Sequence, residues 1–215
     1  MPETRLNFKK AVWGNKLFWI PVIFVVALIF SLFVFIAPEE GGEATFMSMA
    51  IIALIGYFYG PGWGFSISVL FGCVMFLIHG RMPEINYLEK YITSIAGQEV
   101  YIGELVDYIA GYGLMGFAAV SFRKTRGTRY EFLLSFGIAA TLRFVEGALN
   151  CRIFYEPMYG ETLRDIAYCL AYSFWYIGTE TLLSCAVLLM PRVADCVLYL
   201  KKAATEKYEI NRNYP

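Results

Sequence analysis

The sequence predicts an all-α integral membrane protein, a bundle of six transmembrane helices with both ends of the chain cytoplasmic. Three observations carry that reading. Of 215 residues, 58% are hydrophobic and 17% charged, against about 25% charged in an ordinary soluble domain. Apolar runs recur at roughly the 20-residue length that a helix needs to cross the hydrocarbon core. Basic residues gather on alternate connections between those runs. The 18 basic and 18 acidic side chains cancel, so the basic excess of a nucleic-acid binder is missing. The runs are continuously apolar, whereas barrel strands alternate apolar and polar residues.

The elements follow in order within one transmembrane domain, 1–215. Residues 1–16 are a basic segment carrying Arg5, Lys9, Lys10 and Lys16. Span one is 17–37, ended by Pro38. It is long for a signal-peptide core and no small-x-small cleavage site follows it, so it reads as a retained span. Residues 46–78 then contain no charged side chain. As one helix they would be about 50 Å long, against a core of about 30 Å. Gly60-Pro61-Gly62-Trp63-Gly64 breaks the run, which makes it a helical hairpin, spans two and three. Span four is 103–122, span five 131–150 and span six 166–190. Residues 191–215 read as a cytoplasmic basic tail. With the N-terminus inside, 13 basic residues fall on cytoplasmic segments and four on outer loops (Arg81, Lys90, Arg152, Arg164). Five cysteines in an odd set with no C-x-x-C read as packing residues.

Four ionisable residues lie within the spans: Asp107, Arg143, Glu146 and Glu180. Each carboxylate costs about 2.5–3.5 kcal/mol at a helix centre. Arg143 and Glu146, three apart, can pair on one helix face. Glu180 suits a hydroxyl or a helix end as readily as a ligand. Asp107 has no cation nearby in sequence, so it points to a ligand or a distant arginine. Depth puts Asp107, Arg143 and Glu146 within reach of one outward-facing cavity. Tyr168, Tyr172 and Tyr176 recur every four residues down span six, with Ser173 among them. Stacked phenols beside acids suit a flat cationic heterocycle, though core packing explains them equally well. Ala27 and Ser31 form a small-x-x-x-small face on span one.

Catalytic chemistry has little support. His79 is the single histidine, and neither G-x-S-x-G nor a Walker A loop occurs. No catalytic residue, metal site or cofactor is assigned. A membrane enzyme using Asp107 with Glu146 or Glu180 is the alternative from another class.

Several runs taken in order resemble one family. Ala37-Pro38-Glu39-Glu40-Gly41-Gly42-Glu43-Ala44-Thr45-Phe46-Met47-Ser48-Met49 is similar to the first outer loop and second helix of the thiamine-specific S-components of energy-coupling-factor transporters. Ile55-Gly56-Tyr57-Phe58-Tyr59-Gly60-Pro61-Gly62-Trp63-Gly64 resembles their I-G-x-x-Y-G-x-x-W-G turn, and Leu105-Val106-Asp107-Tyr108 their L-L-[DE]-Y. Arg143-Phe144 with Ile153-Phe154-Tyr155, and the run from Tyr168 to Tyr176 with Glu180, resemble the fifth- and sixth-helix motifs. The resemblance implies a multi-pass protein of a bacterial plasma membrane that captures thiamine, or a related cationic heterocycle, from outside. Its partners would be a transmembrane coupling protein and two ATPases, which alone use ATP. Carried over, the site residues are Asp107, Tyr108, Tyr155, Tyr168 and Ser173, with Glu146, Gly147 and Tyr172 beside them. The coupling-protein contact falls on Ala27 and Ser31. The family's fifth-helix histidine falls on Gly147, its sixth-helix asparagine on Ser173 and its loop tryptophan on Tyr155.

Overall fold

The computed structural model describes residues 13–36, 44–78, 102–120, 126–154 and 161–205, and these are almost entirely helical. Helix α1 is Lys16–Ser31, started by the Asn15 side chain, which accepts from the Leu17 amide at 3.0 Å. It is shorter than the expected span 17–37. Val34–Ile36 (β1) is extended instead and pairs antiparallel with Ala44–Thr45 (β2). The β-branched residues Val34 and Ile36 suit the pleat. The hairpin leads into α2, Ser48–Tyr59, and after the single residue Gly60 into α3, Pro61–Ile78. Gly60 sits at φ +89°, and Pro61 opens α3, where its missing N–H costs nothing. The expected break is therefore one residue wide.

Helix α4, residues 102–119, is irregular: a π-helical turn at Asp107–Gly111, an α-turn at Tyr112–Met115 and a 3₁₀ end at Gly116–Ala119. Helix α5 is Glu131–Phe154. Helix α6 runs Thr162–Leu188 with a second π-turn at Phe174–Gly178. The region expected to be a tail holds another helix, α7 (Pro191–Thr205), which turns 88° away from α6. Among the described residues two helices, α3 and α5, are long and apolar enough to cross a membrane, and the bent pair α6 and α7 could make a third; α1 and α2 are shorter apolar helices.

Two contacts organise the bundle. A Cβ on Gly56 would collide with the Gly116 carbonyl oxygen. One on Gly64 would lie 2.5 Å from both that oxygen and the Gly56 Cα. Backbones of α2, α3 and α4 thus meet directly, which only glycine allows. At one end of the bundle, α7 ties several elements together. The Gly14 amide donates to Ala203 O (2.7 Å), Tyr59 Oη to Ala204 O (3.3 Å), and Lys201 Nζ to Glu131 Oε1 (3.2 Å). Lys201 also lies 3.8 Å from the centre of the Tyr57 ring.

Ala27 and Ser31, expected on a face for a partner protein, are both fully buried within the chain. Their small side chains let α1 close onto its own bundle. The outward face of α1 is instead Val22, Val25 and Ile29.

Candidate functional site

Asp107, Arg143 and Glu146 come together where α4 and α5 meet, with Tyr176 of α6 beside them. The Asp107 carboxylate receives Arg143 Nη2 at 3.5 Å and the Tyr176 hydroxyl at 3.2 Å. Arg143 Nη1 also donates to the Asp107 carbonyl at 3.0 Å. That carbonyl belongs to the first residue of the π-turn, where the helix is widened and its carbonyls are poorly matched to the usual i+4 amide. The guanidinium lies 4.4 Å from the centre of the Tyr112 ring, so an aromatic face supports the same cation. Arg143 is 4% exposed; burial at that level would be costly without these partners.

The pairing differs from the one expected within α5. Arg143 reaches across to Asp107, and both Glu146 carboxylate oxygens are buried without a hydrogen-bond partner, as is Arg143 Nε. Glu146 is nonetheless close by. A Cβ on Gly111 would collide with Arg143 Nη1 and lie 2.8 Å from Glu146 Oε2. Gly111 is therefore the gap through which both α5 side chains approach α4.

Thr45, Met75, Asp107, Tyr108, Tyr112, Arg143 and Tyr176 line a narrow cleft of about 10 Å³, room for roughly one water molecule. The expected tyrosine series leads to it. Tyr168 and Tyr172 stack with centroids 6.1 Å apart and planes 15° apart, and Tyr172 meets Tyr176 at 5.2 Å. Tyr108 stacks on Tyr112 at 6.4 Å. Four-residue spacing produces both rows, because it returns side chains to one helix face. Ser173 is fully buried and its hydroxyl has no partner. It faces Gly147: a Cβ there would lie 3.5 Å from Ser173 Oγ, 3.0 Å from Tyr176 Oη and 2.7 Å from Ile177 Cδ1. The glycine gives Tyr176 the room to reach Asp107. Tyr155 lies outside the described residues.

Glu180 belongs to a different arrangement. Its Oε2 accepts from the Thr45 amide (3.2 Å) and hydroxyl (2.9 Å), its Oε1 from the Ser48 hydroxyl (3.2 Å) and the Met49 amide (3.0 Å). It caps the start of α2 from another helix, where the helix dipole favours an anion. Met47, at φ +61°, makes the turn that presents these donors.

Sequence reasoning passed over Tyr112 and Thr45. Tyr112 follows Tyr108 by four residues, a usable signal; nothing around Thr45 marks it for a site on α4 and α5. Comparisons of the chain with protein-family models, curated proteins and solved structures return no match.

Proposed function

We propose that this membrane protein captures a small organic cation, thiamine above all, as the binding subunit of an energy-coupled importer. One observation carries the reading: two acids, Asp107 and Glu146, lie near one buried guanidinium, and only Asp107 is paired with it. The Asp107 carboxylate is held by Arg143 only loosely, at 3.5 Å, a contact that a ligand cation could take over. A single ring cation would then pair with Asp107. Tyr108, Tyr112 and Tyr176 around Asp107 offer the aromatic faces that such a ring prefers. A cleft this narrow must widen to admit a thiazolium, and the π-turns in α4 and α6 are the places where those helices deform most readily. In this reading all six helices from α1 to α6 cross the bilayer, the shorter ones with help from local thinning. Both chain ends are cytoplasmic, and uptake requires a coupling protein and two ATPases.

Thiamine titration of the purified protein, followed by intrinsic fluorescence, tests the reading. Saturable binding at micromolar concentration or below is expected. No response at that concentration overturns thiamine, and a response to another cationic heterocycle alone would reassign the ligand.

A further inference from the structure

We propose that Arg143 is a built-in stand-in for the ligand's positive charge. It holds Asp107 until a cationic ligand takes that carboxylate, and then passes to Glu146. The inference rests on the proposed function only in that the ligand is a cation.

Three features of the cluster lead there. The Arg143–Asp107 side-chain contact is loose at 3.5 Å, whereas a well-made charge-assisted bond is about 2.7–2.9 Å. The Arg143 Nε donor and both Glu146 oxygens are buried without partners, so a donor and an acceptor remain open on residues three apart in one helix. Residues at that spacing share a face. Gly111 leaves room for both Arg143 Nη1 and Glu146 Oε2 to approach α4 at the same point. Arg143 also has a pivot: the Tyr112 face at 4.4 Å and the Asp107 carbonyl at 3.0 Å hold the guanidinium while its outer edge turns from one acid to the other.

The charges explain why a second acid is needed. A ligand cation on Asp107 would leave a buried guanidinium beside it, like charge against like. Displacing Arg143 with no new partner would strand a buried cation. Glu146 removes both obstacles. Glu146 does not line the cleft, so it acts through Arg143 and is a positioning residue.

The test has one arm that needs no ligand. Asp107→Asn removes the charge as a bound cation would neutralise it. A crystal structure of that variant, grown without thiamine, is expected to place Arg143 within 4 Å of the Glu146 carboxylate; Arg143 left on the substituted side chain overturns the handover. The second arm uses thiamine. Arg143→Met should bind it at least as tightly as the parent, because the internal competitor is gone. Glu146→Met should bind at least tenfold more weakly, yet in the Arg143→Met background it should change affinity less than twofold. Equal weakening in both backgrounds means that Glu146 touches the ligand directly, and the handover fails. If the parent does not bind thiamine at all, the thiamine reading falls, and the Asp107→Asn structure alone decides the handover.

Discussion

At the scale of single residues, Asp107 and Glu180 show how one side-chain chemistry takes two roles. Glu180 is surrounded by four donors and caps a helix. Asp107 pairs with Arg143, has the unpartnered Glu146 nearby, and opens on a cleft. Their variants should therefore fail differently. Asp107→Asn should weaken thiamine binding at least tenfold, since a hydrogen bond to a charged group contributes about 1.5–3 kcal/mol. Its thermal midpoint should change little, because Glu146 stands ready to receive Arg143. Isothermal titration and a melting curve on the same sample check both halves. Glu180→Ala should do the reverse and lower the melting temperature sharply. It strands the Thr45 and Met49 amides, and each buried donor left unpaired costs about 1–3 kcal/mol. A Glu180→Ala protein that melts with the parent would show that Glu180 is not the cap of α2.

At the scale of elements, helix contacts made through backbone tolerate nothing added. A Cβ on Gly116 would collide with Phe65 N and Gly64 C, atoms that cannot swing aside. Gly116→Ala should cost about 1–3 kcal/mol or more, the range for overpacking. Gly137, inside α5 with nothing within 4 Å of a Cβ, is the control. There, alanine should be neutral or gain up to about 1 kcal/mol. Chemical denaturation of the two variants in one detergent compares them directly, and equal stability would refute the three-glycine contact. Helix α7 is held by a different kind of bond. Glu131 is 2% exposed, and Lys201 joins it to α7 while covering the Tyr57 ring. Lys201→Ala should take that cation from Glu131, which keeps the Gly127 amide, and loosen α7 more than the rest of the bundle. Hydrogen exchange over Pro191–Thr205 should then rise at least tenfold while α2 and α3 keep their protection. Uniform exchange across the molecule would mean that the pair supports the whole fold instead.

For the whole molecule, the proposed orientation puts the α4–α5 connection and α7 on the cytoplasmic side. A cysteine placed at Arg126, in a background without other exposed cysteines, should resist an impermeant label in intact cells and react once the membrane is opened. Labelling in intact cells would invert the topology. Helices α2 to α6, the Gly60 turn, the tyrosine series of α6 and the four ionisable residues within apolar runs were legible in the sequence. Each follows from local rules: run length, the backbone freedom of glycine, or the periodicity that returns every fourth residue to one face. The tertiary structure alone decided which partner each charge takes. Arg143 prefers Asp107, 36 residues away, to Glu146 on its own helix, because the π-turn and Gly111 bring α4 close enough to supply a carboxylate, a carbonyl and an aromatic face together. It also decided that Ala27 and Ser31 are buried within the chain, that Val34–Ile36 leaves the helix to pair with Ala44–Thr45, and that Pro191–Thr205, expected within a tail, forms a helix across the end of the bundle. Spacing along one helix defines what a residue can reach within it, but the energy of a buried charge depends on every element that packs around it.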